Sequence, residues 1–104
     1  MVRQEIKIRF AKKGFMRFIS HLDLMRLFQR AARRAAIPVS ITEGFSPHPR
    51  ISVQPALKLG KESDSLEAVF KLDGWMGPED FKKDLENMLP EGIEISEVKK
   101  INYV

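Results

Sequence analysis

Residues 5–38 read EIKIRFAKKGFMRFISHLDLMRLFQRAARRAAIP, and along this run the apolar spacing changes from two residues to three or four. Ile6, Ile8 and Phe10 alternate with Lys7 and Arg9, the period of a strand with one buried face. Gly14 breaks the alternation, and Phe15, Met16, Phe18 and Ile19 gather around Arg17 as a second strand piece or a packed loop. Ser20 followed three residues on by Asp23 is an acidic capping box. It predicts a helix from His21 to about Ala36, stopped by Ile37-Pro38. At about 100° per residue, Leu24, Phe28, Ala31 and Ala35 share one stripe, flanked by Leu27 and Ala32. Arg26, Arg30, Arg33 and Arg34 lie within about 100° of one another on the opposite side. Only Asp23 is near enough to offset their mutual repulsion.

Residues 37–49 show no period and contain Pro38, Gly44, Pro47 and Pro49, a long connection for so small a chain and one stiffened by its prolines. Ile51 and Val53 alternate with Arg50, Ser52 and Gln54 as a strand ended near Pro55, with Leu57 and Leu59 as a short extension before Gly60. A turn is expected at residues 61–65, then a third strand through Leu66, Ala68, Phe70 and Leu72. Pro78 suits the first position of a second helix, whose stripe is Phe81, Leu85 and Met88 and whose end is Pro90. Ile93 and Ile95 open a last strand, and Val98 and Ile101 fall one residue out of phase, which predicts a bulge. The order strand, helix, strand, strand, helix, strand predicts one α+β domain over residues 1–104. The expected architecture is ferredoxin-like: a βαββαβ chain forming a four-stranded antiparallel sheet with two helices on one face.

The 104 residues suffice for one core, and 43% apolar content argues against disorder. No run approaches the ~20 apolar residues of a membrane span, so no membrane partner is expected. There is no cysteine, which excludes disulfides, thiolate-held metals and a thiol nucleophile, and agrees with a reducing cytoplasm. The net charge of +4 conceals a division. Residues 1–50 carry 11 Lys or Arg against three acids, a local +8, whereas residues 51–104 carry seven Lys against 11 acids, a local −4. All eight arginines lie in the first half. Their planar forks suit phosphate and base edges, so the division points to a basic working surface; a merely solvated helix face would give the same pattern.

If Ile6, Ile8, Phe10, Ile51 and Val53 face the helices, then Lys7, Arg9, Arg50, Ser52 and Gln54 face outward. That open face lacks the aromatic platform of an RNA-recognition motif, so nucleic-acid contact there would run through phosphates or shape. His21 belongs to the helix start and lies about 200° from Asp23, too far round for an acid–base pair. His48 is held between Pro47 and Pro49, with Arg50 two residues on, which suits it to orient a ligand or act as a general acid or base in RNA cleavage. Two lone histidines do not make a metal site, and no glycine pattern for a nucleotide cofactor is present; no cofactor is expected.

Three runs are more specific: residues 13–24 (KGFMRFISHLDL), residues 30–35 (RAARRA) and Glu43-Gly44-Phe45-Ser46-Pro47-His48-Pro49-Arg50-Ile51-Ser52. Together with Leu57-Lys58-Leu59-Gly60, Ser63 and Glu67 they resemble the radical SAM-linked bacterial domain of unknown function, over roughly residues 5–72. Ser46 stands where that family commonly has asparagine, and Ala68 and Val69 where it often has an aromatic and an acid. The family domain is usually about twice as long, so this chain is expected to correspond to its N-terminal half. The resemblance implies an accessory role beside a radical SAM enzyme. Without cysteine, this chain cannot itself hold the iron–sulfur cluster such chemistry requires.

The expected function is a non-catalytic module that grips structured RNA, such as tRNA or rRNA, for a radical SAM partner. Arg26, Arg30, Arg33 and Arg34, with Lys7, Arg9 and Arg50, would bind the nucleic acid. Gly44, Phe45, Ser46, His48 and His21 would hold a nucleotide or the partner. Two alternatives stay open: a metal-independent endoribonuclease using His48, by fold analogy alone, and an adaptor docking its arginines on an acidic protein surface.

Overall fold

The computed structural model describes residues 3–55 and 63–103. β1 (Gln4–Lys12) leads through a 3₁₀ turn (Gly14–Phe18) to α1 (His21–Arg34). β2 (Ile51–Gln54), β3 (Ser63–Leu72), α2 (Pro78–Glu86) and β4 (Ile93–Tyr103) follow. The sheet order is β2-β3-β1-β4 and every neighbouring pair is antiparallel, the βαββαβ ferredoxin-like arrangement.

Alternation in the central strand decides where the core sits. Ile6, Ile8 and Phe10 of β1 stand opposite Phe70, Ala68 and Leu66 of β3, all on one face. Leu24, Phe28 and Ala31 of α1 and Phe81 and Leu85 of α2 join them in a single buried cluster, so both helices cover that face. The rings of Phe10, Phe28, Phe70 and Phe81 run edge-to-face through it at centroid distances of 5.0, 5.7 and 5.1 Å. Such pairs add about 0.5–1.5 kcal/mol each beyond the area they bury. Against β1, β4 slips by one residue at two places: Arg9 meets Glu97 while Phe10 meets Ile95, and Glu5 meets Asn102 while Ile6 meets Lys100. These slips are the bulge foreseen from the phase of Val98 and Ile101.

Two local expectations need correction, and a third lies outside the described residues. Residues 63–65 are not a turn: β3 already begins at Ser63, which pairs with Lys12 past an irregularity in β1, so main-chain pairing overrides their polar turn-like composition. Leu57, Leu59 and Gly60, and residues 61 and 62 of the expected turn, lie outside the described residues. Phe15 to Phe18 form a 3₁₀ turn, which tucks Met16 against the core and leaves Phe15 and Phe18 exposed.

The start of α1 follows its sequence: the Asp23 N–H donates to the Ser20 hydroxyl at 3.1 Å. Its end comes earlier than Ala36 and by a different device. The Ile37 N–H reaches the Ala32 carbonyl at 3.0 Å and the Ala36 N–H the Arg33 carbonyl at 3.1 Å, with Ala36 at φ +56°. This is a Schellman motif with alanine where glycine is favoured. Ala36→Gly is expected to raise stability by about 0.5–1 kcal/mol, the left-handed penalty less glycine's extra freedom in the unfolded chain. A urea midpoint that falls instead of rising would count against that reading.

Candidate nucleic-acid interface

Four cations on and beside the open sheet face lie against carboxylates, whereas Lys99, opposite Lys7, forms no ion pair among the described residues. Lys7 lies 3.4 Å from Glu67, Arg9 3.4 Å from Glu97 and 3.9 Å from Glu67, Lys71 3.5 Å from Glu5, and Lys13 3.3 Å from Glu94. The register explains the pairing, because Arg9 stands directly opposite Glu67 on β3 and Glu97 on β4, and Glu5 opposite Lys71. Lys7 and Arg9 therefore present a field largely offset by their neighbours.

α1 differs. Arg26 has Asp23 at 3.6 Å, but Arg30, Arg33 and Arg34 are exposed and form no ion pair among the described residues. Leu24, Phe28, Ala31 and Ala32 bury the opposite side of the helix. Arg33 and Arg34 occupy the last turn, where the helix dipole favours cations by about 0.3–1 kcal/mol each, and this steadies the cluster without neutralising it.

The segment after α1 folds back as a narrow hairpin. Val39 bridges Leu72 and Ile41 bridges Pro49. The Ser40 N–H donates to the Lys71 carbonyl at 2.7 Å, the Arg50 N–H to the Ser40 carbonyl at 2.8 Å, and the Thr42 N–H to the His48 carbonyl at 2.9 Å. At the tip, Gly44 has φ +129°, a conformation that favours glycine, and Phe45 is fully exposed. The Thr42 hydroxyl accepts from the His48 N–H at 3.1 Å. His48 Nδ1 lies 3.0 Å from the Ser46 carbonyl, which can only accept, so Nδ1 is the donor there and Nε2 takes no part in these bonds.

Between this hairpin and the last turns of α1 lies a cleft of about 480 Å³, lined by Gln29 and Arg33 on one side and Ile41, Pro47, His48 and Pro49 on the other. The fold thus joins two segments that the sequence presents separately. A family model described as "Uncharacterized protein conserved in bacteria (DUF2344)" matches residues 5–104. The chain belongs to this family. No curated protein and no solved structure matches it. The DUF2344 match takes in the arginine helix and the hairpin, and it continues beyond Leu72 through α2 and β4, so it covers both helices and the whole core.

Of the expected residues, Arg33 and His48 line the cleft; Gly44, Phe45 and Ser46 sit at the hairpin tip outside its lining, Lys7 and Arg9 lie on the open sheet face, and His21 and Arg50 stand elsewhere. His21 is the first residue of α1, about 18 Å along the helix axis from Arg33. Arg50 lines a second pocket, of about 170 Å³, with Arg3, Glu5, Ser40 and Lys71 at the end of the sheet. Among the described residues no three His, Asp or Glu side chains gather as metal ligands, and no helix is long and apolar enough to cross a membrane.

Sequence reasoning missed two buried polar side chains of this DUF2344 chain. Gln4 clamps the turn before α2, its amide donating to the Met76 carbonyl at 2.9 Å while its carbonyl accepts from the Met76 N–H at 2.8 Å. Lys12 caps the Ile19 carbonyl at 2.9 Å just ahead of α1, and burial holds its pKa below the usual lysine value. Parity was the available signal: both share the even positions of Ile6, Ile8 and Phe10, which face the core.

Proposed function

We propose that this chain is an accessory, non-catalytic module that binds structured RNA, such as tRNA or rRNA, and works with a radical SAM enzyme. One contrast within the molecule carries the RNA reading. Lys7, Arg9, Lys13 and Lys71 each meet a carboxylate, whereas Arg30, Arg33 and Arg34 stand together on one helix face with none among the described residues. Desolvated by a polyanion, those guanidinium forks gain bidentate phosphate bonds, and the repulsion among them is relieved. The radical SAM partner rests on the sequence resemblance. Cleavage of RNA by this chain is the weaker reading: among the described residues lining the cleft, His48 stands without a second histidine or a carboxylate, and cleavage needs both an acid and a base.

The test is fluorescence anisotropy of labelled tRNA and of a random single strand, each titrated at 50 and 200 mM salt. About four phosphate contacts give a log–log salt slope of roughly −3 to −4, so tRNA affinity is expected to fall about 100-fold between these conditions, with the folded RNA preferred throughout. Absence of binding even at the lower salt would overturn the reading and transfer the arginine face to an acidic protein surface.

A further inference from the structure

We propose that the cleft between α1 and the hairpin takes one unpaired nucleotide of the bound RNA. Its base would lie against the Ile41 and Pro47 side chains and its phosphate at Arg33, and the next unpaired base would stack on Phe45 at the hairpin tip outside the cleft. This inference rests on the RNA-binding reading above and adds the part of the RNA that is read.

Four observations converge on it. The volume, about 480 Å³, falls in the range of pockets that enclose small ligands. Phe45, outside the cleft lining, is fully exposed at the tip of the same hairpin, where water gains nothing from it and a base face would. Polar groups of the kind that read a base edge line the same cleft: the Gln29 amide offers both donors and an acceptor, and His48 offers Nε2 because Ser46 and Thr42 hold its other nitrogen. Arg33 lines the cleft and also belongs to the unpaired arginine face, so a chain of phosphates running along α1 would deliver a nucleotide to its mouth. An unpaired nucleotide fits this arrangement better than duplex, because bases stacked within a helix present neither their faces nor their pairing edges to an aromatic side chain.

A protein segment could fill the same space, but the charge argues against it as the first occupant. The rim of the cleft that continues along α1 is cationic through Arg30, Arg33 and Arg34, and a strand of RNA carries one negative charge for every nucleotide it lays there.

The experiment uses the full chain and two RNAs of equal length, a stem with an unpaired loop and the same stem as a closed duplex. The loop carries a single 2-aminopurine whose fluorescence reports stacking. Expected for the native chain are about tenfold tighter binding of the loop RNA and a fluorescence change on binding. Phe45→Ala and, separately, His48→Ala should each reduce that preference several-fold or more while leaving duplex affinity unchanged. Phe45 has no buried contact to lose, so the first variant tests stacking at the hairpin tip without threatening the fold, and the second tests a side chain that lines the cleft. Equal binding of loop and duplex, or a Phe45→Ala loss shared equally by both RNAs, would overturn this inference and leave the RNA module intact. Failure of both RNAs to bind would overturn both readings together.

Discussion

Replacing Gly92 with alanine is expected to destabilise the domain by about 3–5 kcal/mol and to lower its melting temperature by roughly 15 °C or more. Gly92 precedes β4 at φ +98°, and a Cβ there would lie 2.6 Å from the Lys13 carbonyl oxygen and 2.8 Å from Met16 Cγ. Retreat is blocked because the Lys13 N–H donates to the Gly92 carbonyl at 2.8 Å, so the two backbones are already tied together. Moving the methionine would disturb a side chain packed against the core. Gly44→Ala provides the comparison: its φ is +129°, and nothing lies within 4 Å of the added carbon. That variant should lose only the conformational term, about 1–2 kcal/mol. Thermal or urea unfolding of the two variants checks the difference, and equal losses would mean that the approach of Lys13 to Gly92 is slack.

The contrast between these glycines also shows what a sequence makes legible. Alternation at Ile6, Ile8 and Phe10, the Ser20–Asp23 cap and Pro78 at the head of α2 are local signals, each set by backbone geometry within a few residues, and each was readable. The demand at position 92 comes from residue 13, across the gap between β1 and β4, and no local pattern carries it. The same holds for residues 63–65, whose composition favours a turn and whose pairing with the end of β1 makes them strand. The end of α1 is intermediate: Pro38 fixed roughly where the helix stops, but the left-handed Ala36 is visible only in the hydrogen bonds.

For the candidate site, the residue types were legible and their grouping was not. The helical period alone placed Arg26, Arg30, Arg33 and Arg34 on one face. It could not show that Lys7 and Arg9 are matched by Glu67 and Glu97, since those pairs depend on strand register across three strands. Nor could spacing reveal that the hairpin folds over the last turns of α1. Its prolines announced rigidity, but its direction comes from the bonds of Ser40 and Arg50 to the end of β3. Those bonds bring His48 to Arg33 and send the neighbouring Arg50 to the opposite pocket.

The paired substitution Arg30→Glu and Arg33→Glu is expected to weaken RNA binding by on the order of 10²–10³-fold and to flatten the salt slope by about two. Each reversal removes two units of charge, so the pair takes the net charge from +4 to zero. The fold should tolerate it. Both side chains are exposed and without ion pairs among the described residues. A carboxylate at position 30 also gains Arg26 and Arg34 one turn away on either side, where helical i,i+4 pairs contribute about 0.2–0.5 kcal/mol each. Against that stands the last-turn dipole term lost at position 33, about 0.3–1 kcal/mol, so the unfolding midpoint should move little. Net charge alone would also weaken binding, and Lys82→Glu with Lys83→Glu on α2 removes the same four units elsewhere. If position matters, that second pair costs only a few-fold in affinity. Equal losses from the two pairs would reduce the arginine face to a share of the overall charge, and full affinity after the α1 reversal would remove it from the interface altogether.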